Sequence, residues 1–413
     1  MKKDRKTRCA AFGAYYVKVT AALFAFAIFA FGHSAPMREI RELPSAYYAE
    51  SEQSLAKRLG ASAFPHAVTA DSRYDETLGC RTVSIRLFGG IVVKSVPAFI
   101  GDKPMLVPGG SAVGISIYTE GVLVVGTGSF IDPDGRRVSP AAEAGIKAGD
   151  VILLVNGIPI ATGKELSSLL GAVQGAAVIT VERAGERKEI TVVPVDSDSG
   201  KRIGAWVRDS TIGIGTLSFY ERSSGLTAAL GHAVLDADTG ALLKVRNGEL
   251  VLASILGVTK GAQGAPGELH GTFGDDSVKL GTIEGNTELG IFGRLYAGAA
   301  ELLGGEEIPV AFPDEVHTGN AVIITSAFGE PEEFSCRIIR TGRQNGPAPK
   351  GLVIEITDPR LLEGTGGIVQ GMSGSPVIQD GMLAGVVTHV FVNDPKKGYG
   401  AYAYWMYDLF GGN

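Results

Sequence analysis

The chain has 413 residues, a formal net charge of −6 and 58 glycines. This length exceeds one ordinary domain and suits two domains with a leader. The glycine content is typical of many tight turns and short strands, and the acidic balance argues against nucleic acid as a partner.

The N-terminal segment has the composition of an export signal. Residues 2–8 are basic, and residues 19–31 are apolar apart from Thr20. A positive flank before an apolar core is typical of a secretory signal or a signal anchor. We therefore predict that residues 1–35 are a signal sequence or membrane anchor, with the anchor favoured, and that the chain after Ala35 is exported.

The segment that follows is predicted to be a spacer. Residues 36–73 are polar and contain Pro36, Pro44 and Pro65. Apolar alternation at residues 82–88 and an apolar run at residues 91–93 then predict strands. Residues 36–98 are therefore predicted to form a spacer of low order and the first strands.

Residues 99–195 have the layout of a PDZ domain. Residues 138–150, followed by an apolar run over 151–155 and the pair Asn156-Gly157, resemble the PDZ pattern of a short helix, a strand and a turn. Thr162 and Glu165 form a capping box before leucines at helical spacing, which predicts the groove helix. The alternative is a helix packed on a small β domain with no groove.

The peptide-binding loop of this domain is predicted from a second resemblance. Residues 108–115 resemble the loop whose N–H groups receive a peptide carboxylate, a backbone nest of the kind that captures C-termini. The resemblance implies peptide-binding positions at Gly110, Val113, Gly114 and Ile115.

Residues 201–413 alternate short apolar runs with glycine-rich turns, which is typical of two packed β-barrels or of a sandwich. Near the end, Gly371-Met372-Ser373-Gly374 precedes two apolar runs joined by Asp380-Gly381, a strong hairpin signal. The glycines permit the sharp bend that a serine nucleophile beside backbone oxyanion donors requires. We predict Ser373 as the nucleophile and the N–H groups of Gly371 and Ser373 as the oxyanion hole.

His232 is the predicted base, and Asp358 the predicted acid. A lone histidine among apolar residues is more often structural, but the predicted nucleophile Ser373 gives His232 a catalytic partner. Asp358 ends an alternating strand, so its side chain has a fixed direction, whereas Asp236 and Asp238 follow His232 in a turn and are expected to point into water. The order His, Asp, Ser favours the chymotrypsin-like double barrel over the sandwich.

Two further residues compete for these roles. Ser375 is a rival nucleophile, but Pro376 follows it directly, and we predict a hydrogen-bonding turn residue. His389 is predicted to be structural or to support the site rather than to act as the base.

No metal or cofactor is expected. Three cysteines do not make a metal cluster, and His232 with Asp236 and Asp238 lacks a suitable third ligand type. A bridge between Cys80 and Cys336 is compatible with an oxidising compartment, but two free thiols are favoured.

Several of these motifs together resemble the stage IV sporulation protein B family of serine peptidases. They are Gly231-His232-Ala233-Val234, Thr357-Asp358-Pro359 and residues 371–376, with residues 388–390 and 393–395 behind them. The resemblance implies a mainly β chain with an N-terminal signal or anchor, a PDZ domain and a double-barrel peptidase domain over residues 201–413. In chymotrypsin-like enzymes the acid lies much farther from the serine in sequence. The short spacing between Asp358 and Ser373 therefore implies a rearranged barrel or a different acid.

The resemblance further implies an endopeptidase of sporulation signalling. Members are exported to the space between the forespore and mother-cell membranes, process themselves, and cleave a membrane-bound regulatory protein, which releases an intramembrane protease and activates a late sigma factor. The implied partners are that substrate, the membrane and, through the PDZ domain, a second copy. The alternatives are a general envelope quality-control peptidase and a PDZ adaptor with an inactive barrel.

Overall fold

The computed structural model describes residues 46–61, 68–75, 80–87, 89–198, 200–274, 276–342, 344 and 346–410, with the backbone alone at 60, 61, 68, 80 and 87. The chain divides into two units, Met1–Asp102 and Lys103–Asn413. The predicted leader lies outside the described residues.

The first unit carries a four-stranded sheet and one helix. Strand β1 (Tyr47–Ala49) pairs in parallel with β4 (Ile91–Ile100). Strand β4 pairs antiparallel with β3 (Cys80–Leu87), and β3 pairs antiparallel with β2 (Val68–Asp75). Helix α1 is Glu52–Ala61. Their shared core is Tyr47, Ala49, Leu55, Leu59, Val83, Ile85, Val96 and Ala98. The prediction of a low-order spacer is therefore wrong for the described residues of 36–73, because their apolar side chains bury a common core.

Six strands of the second unit close into a first barrel. In ring order they are β6 (Ala112–Thr127), β15 (Val245–Leu252), β18 (Lys279–Thr287), β19 (Gly290–Leu295), β14 (Leu226–Ala229) and β13 (Ala205–Tyr220), and β13 returns to pair with β6. Alternate residues of β6, namely Val113, Ile115 and Ile117, point into the barrel core, as the two-residue period of a strand requires.

Smaller elements border this barrel. Strands β5 (Met105–Pro108) and β20 (Ile308–Pro309) extend the sheet beyond β13, and α4 is Ala299–Leu303. Strands β16 (Ser254–Thr259) and β17 (Glu268–Thr272) form a separate hairpin. That hairpin reaches the serine loop, because Leu269 N donates to Gln370 O at 2.9 Å.

The second barrel is also closed and six-stranded. In ring order its strands are β21 (Gly319–Thr325), β22 (Glu332–Thr341), β23 (Leu352–Ile356), β26 (Lys397–Tyr402), β25 (Met382–Val390) and β24 (Pro376–Gln379), with helices α5 (Pro359–Thr365) and α6 (Ala403–Leu409). The predicted hairpin is confirmed, since Asp380 and Gly381 have φ of +51° and +75° between β24 and β25. The mainly β fold with a double barrel is confirmed as well.

The PDZ domain is an insertion within the first barrel. Its elements are β7 (Phe130–Ile131), β8 (Arg137–Val138), α2 (Pro140–Ala144), β9 (Val151–Val155), β10 (Ile158–Pro159), α3 (Gly163–Ala172), β11 (Ala177–Arg183) and β12 (Glu186–Val192). The capping box of Thr162 and Glu165 is present at α3 as predicted. Leu166 and Leu170 of this helix are buried in the domain core.

The predicted PDZ boundaries, 99 and 195, are wrong at both ends. The first part of β6 belongs to the barrel core, whereas Val122 and Val124 belong to the PDZ core. Ile203 is also buried in the PDZ core, with Ala205 and Val207 packed against it. Strands β6 and β13 therefore run through both domains, and the peptidase domain does not start after the PDZ domain but surrounds it.

Two remaining predictions concern the membrane and the cysteines. Within the described residues, no helix is long and apolar enough to cross a membrane. Cys336 on β22 is a free, buried thiol, and burial raises its pKa to about 12, which makes it unreactive. The side chain of Cys80 is outside the described part of the structure.

Candidate active site

The serine loop, residues 366–375, connects α5 to the β24–β25 hairpin. Gly371 and Gly374 have φ of +96° and +98°, a region that glycine tolerates and other residues avoid. At Gly374 a side chain would also collide with the first barrel, since an added Cβ would lie 2.2 Å from Thr216 O and 2.6 Å from Leu230 N. The loop therefore touches the first barrel backbone to backbone, and Ser373 is held where the two barrels meet.

The histidine loop, residues 230–244, leaves the first barrel at the end of β14. Leu230 has φ of +75°, a conformation that costs a residue with a side chain about 1–3 kcal/mol, and Gly231 follows at φ +70°. An added Cβ at Gly231 would lie 2.7 Å from Val386 Cγ2 on β25. This strained turn presses the loop against the second barrel and brings His232 to the same boundary as Ser373.

His232 and Ser373 line one cavity of about 500 Å³. Gly371, Thr388 and His389 also line this cavity. The structure thus brings together the predicted nucleophile, the predicted base and the predicted oxyanion loop.

The hydrogen bond of His232 fixes its tautomer. Its Nδ1 lies 2.9 Å from the Ala233 carbonyl oxygen, and because a carbonyl only accepts, Nδ1 carries the proton and Nε2 has a free lone pair. Burial lowers the pKa of His232 below its ordinary value, while the Ala233 hydrogen bond opposes that shift. The imidazole consequently stays neutral, and able to accept a proton, at pH values below its ordinary pKa.

Ser373 has donors for an oxyanion beside it but is not bonded to His232. Its Oγ donates to Thr388 O at 2.9 Å. Among the hydrogen bonds of the described residues, none uses the N–H groups of Gly371 or Ser373. These two N–H groups are therefore free to bind the negatively charged oxygen of a tetrahedral intermediate.

The structure does not bring Asp358, the predicted acid, into contact with His232. Asp358 is the N-cap of α5, where Oδ1 accepts from Arg360 N at 2.9 Å and Leu361 N at 3.3 Å. Its Oδ2 accepts from Ser335 N at 3.3 Å. An aspartate followed by Pro359 at the first helical position is a usual helix start, and this role occupies the carboxylate.

Asp236 and Asp238 are not the acid either. Both form ion pairs with Arg208. Asp236 is buried, contrary to the prediction that it points into water, and it also accepts from Thr239 N at 2.9 Å. Burial alone would raise the pKa of Asp236, but the hydrogen bonds from Thr239 and the charge of Arg208 outweigh it and lower that pKa. Asp236 is therefore a structural anion that stiffens the histidine loop.

Ser375 and His389, the two residues that compete for the catalytic roles, lie in different surroundings. Ser375 is a hydrogen-bonding turn residue through its backbone, since its N–H donates to Met372 O at 3.0 Å. Its hydroxyl is fully buried, has no hydrogen-bond partner and is not exposed to substrate. The ring of His389 lies 4.9 Å from that of His232, centroid to centroid. Burial, His232 and Lys350 together lower the pKa of His389 to about 4, which keeps it neutral beside the base.

Thr216 on β13 is a positioning residue that the sequence does not predict. Its Oγ1 donates to Gly371 O at 2.7 Å, and its N–H donates to Ser373 O at 3.0 Å. Thr216 is buried, so both bonds are shielded from water. The first barrel thereby holds the carbonyl groups of the two residues whose N–H groups are the proposed oxyanion donors, and a threonine within a strand gives no local signal of this role.

Thr216→Val should lower kcat up to about 100-fold with little change in KM, because a small displacement of the oxyanion donors weakens transition-state binding. Thr216→Ser keeps the hydroxyl and should restore most of the activity. Steady-state kinetics of both purified variants, with melting temperatures, test this. An equal loss in both variants would contradict the hydrogen-bonding role and point to packing of the methyl group.

The predicted PDZ peptide loop is also corrected. Gly114 is paired with Ile214 on one side and Val251 on the other, and Gly110 N donates to Leu217 O at 2.7 Å. Gly110, Val113, Gly114 and Ile115 are therefore part of the first barrel and cannot form a carboxylate nest.

A groove is present elsewhere on the PDZ domain. A cavity of about 370 Å³ lies between α3, at Leu166 and Leu170, and residues 201–207. Among the hydrogen bonds of the described residues, none uses the N–H groups of Ile203 or Gly204. The edge of β13 at residues 205–208 that faces away from β6 pairs with no strand in the described part of the chain.

Two closed barrels with a serine, a neutral histidine and free backbone donors at their boundary define a double-barrel serine peptidase, and this one carries an inserted PDZ domain. A family model described as SpoIVB peptidase S55 matches residues 199–407, and a PDZ domain model matches residues 134–183. Since the first match covers half of the chain, the chain belongs to the SpoIVB peptidase S55 family.

Curated relatives match over shorter stretches. The "Putative zinc metalloprotease Atu1380" of Agrobacterium fabrum is 33% identical over 82 residues, which is 20% of this chain and 22% of the relative. The "Probable periplasmic serine endoprotease DegP-like" of Halomonas elongata is 32% identical over 132 residues, or 30% and 27%. The chain thus spans about a quarter of the curated relatives it matches.

Two solved structures are also similar. The active form of the Rv3671c protease from M. tuberculosis has a TM-score of 0.29 at 17% identity, covering 49% of this chain and 75% of that chain. The HtrA-type protease AlgW with a decapeptide has a TM-score of 0.29 at 11% identity, covering 73% and 63%. The double-barrel assignment rests on the strand pairing of this chain and not on these two similarities.

Proposed function

We propose that this chain is an exported endopeptidase of sporulation signalling in which Ser373 attacks a peptide carbonyl carbon. The observation that carries the proposal is the shared cavity, where Ser373, His232 and two free N–H groups meet. Ser373 Oγ turns from Thr388 O towards Nε2 of His232, which takes its proton as the new C–O bond forms. The protonated imidazole then gives that proton to the leaving amine, and water hydrolyses the acyl-enzyme by the same route.

The proposed substrate is a membrane-bound regulatory protein whose cleavage activates an intramembrane protease and, through it, a late mother-cell sigma factor. The enzyme acts in the space between the forespore and mother-cell membranes, held by its N-terminal segment, and processes itself. Family membership supports this part of the proposal.

The groove of the PDZ domain is the proposed docking site for a peptide C-terminus, from the substrate or from a second copy of the chain. The N–H groups of Ile203 and Gly204 would receive the carboxylate. The peptide would pair with the open edge of β13, in the strand-addition mode of such domains. Because the same strand continues to Thr216, the docking site and the serine loop share one structural element.

A small fluorophosphonate tests the enzyme class. It should label the purified protein at Ser373, as located by peptide mass spectrometry, and should leave Ser373→Ala unlabelled. A folded wild-type protein that is not labelled would contradict the peptidase proposal and favour an inactive PDZ adaptor. The wild type should also leave casein nearly intact, since rapid casein degradation would favour a quality-control peptidase.

A further inference from the structure

The walls of the cavity around Ser373 are mostly apolar. From the first barrel they include Ile214 and Leu235, and from the second barrel Ile368, Val390 and Val392. Among the described residues that line the cavity, none is Asp, Glu, Lys or Arg. Any peptide whose carbonyl reaches Ser373 must place the side chain of that residue against these walls.

A charged side chain in this cavity would lose water without gaining an ionic partner. That transfer is unfavourable, whereas each apolar group buried there is favourable. Two neutral histidines do not offset a charge, because burial lowers the pKa of both His232 and His389.

We infer that the enzyme cleaves after apolar residues, and that Val390 is a determinant of this specificity. The inference rests on the proposed peptidase function. Val390 is two residues beyond Thr388, whose carbonyl accepts the Ser373 hydroxyl, so it lies about 7 Å further along β25. It is half-buried at the cavity wall, where a change of side chain alters the environment of the substrate side chain without touching Ser373 or His232.

The test uses peptidyl phosphonates, which react with a serine nucleophile, on the full-length protein. The probes differ in the residue next to the phosphorus: Leu, Phe, Lys or Glu. Leu or Phe probes should inactivate the wild type about 100-fold faster than Lys or Glu probes, comparable to the discrimination that hydrophobic pockets achieve. Equal rates, or a faster Lys or Glu probe, would overturn the inference.

Val390→Asp should slow the Leu probe and accelerate the Lys probe by about tenfold, since the new carboxylate supplies the missing partner. Val178→Asp is the matched control, because Val178 lies on β11 of the PDZ domain, is partly exposed, and does not line the cavity. Its probe ratios should equal those of the wild type. Should Val390→Asp fail to fold, the wild-type rates alone decide the class of side chain.

The fluorophosphonate separates the two proposals. A protein that this small probe labels at Ser373, but that reacts equally with all four phosphonates, retains its proposed function and loses the inferred specificity. A protein that neither reagent labels loses both.

Discussion

Ser373→Ala and His232→Ala should each lower peptide turnover about 10⁶-fold, and the double variant should be no slower than either single variant. The reason is that hydroxyl and imidazole act on the same proton: without the imidazole the hydroxyl is a weak nucleophile, and without the hydroxyl the imidazole has nothing to activate. The residual rate would come from the free N–H groups and from substrate binding. The measurement is kcat of the purified variants on one peptide substrate, with melting temperatures to show that each is folded.

Ser375→Ala is the matched control for the serine. Its hydroxyl is buried and has no hydrogen-bond partner, so removing it should leave turnover unchanged and be neutral or slightly stabilising. A large loss of turnover in Ser375→Ala together with an active Ser373→Ala would move the nucleophile to Ser375. If His232→Ala keeps its activity and His389→Ala loses it, the neighbouring histidine is the base instead.

The parts of the site that could be predicted from the sequence are those with local signals. Paired glycines around Ser373, the Asp380-Gly381 turn and the capping box at Thr162 each depend on a few adjacent residues. Asp358 also has a local signal, that of a helix N-cap, because Pro359 follows it directly. The end of a strand and the start of a helix meet at this residue, and the helix start occupies its carboxylate.

The parts that could not be predicted depend on pairing between distant residues. Whether residues 112–118 belong to the PDZ domain or to the barrel is decided by their pairing with residues 210–216 and 247–252. An apolar strand has the same sequence pattern in either setting. The insertion of the PDZ domain therefore became visible only from the strand register, and with it the position of the peptide groove.

The contact between the two barrels predicts a severe effect at Gly374. Gly374→Ala places a Cβ 2.2 Å from Thr216 O, 2.6 Å from Leu230 N and 3.0 Å from Ser218 Oγ, and two of these atoms belong to backbone that cannot turn aside. The serine loop must then separate from the first barrel, which breaks the bonds of Thr216 to Gly371 and Ser373 and moves Ser373 away from His232. We expect a loss of folding free energy above about 4 kcal/mol, beyond the usual range of single substitutions, and no measurable turnover.

Gly329→Ala separates this clash from the cost of backbone conformation. Gly329 has φ of +115°, close to the +98° of Gly374, and nothing lies within 4 Å of an added Cβ there. It should lose about 1–2 kcal/mol, the cost of a left-handed conformation for a residue with a side chain, and keep its turnover. Urea unfolding and peptide kinetics of the two variants give the comparison. If Gly374→Ala is no less stable than Gly329→Ala and still turns over peptide, the close contact between the serine loop and the first barrel is not what holds Ser373 beside His232.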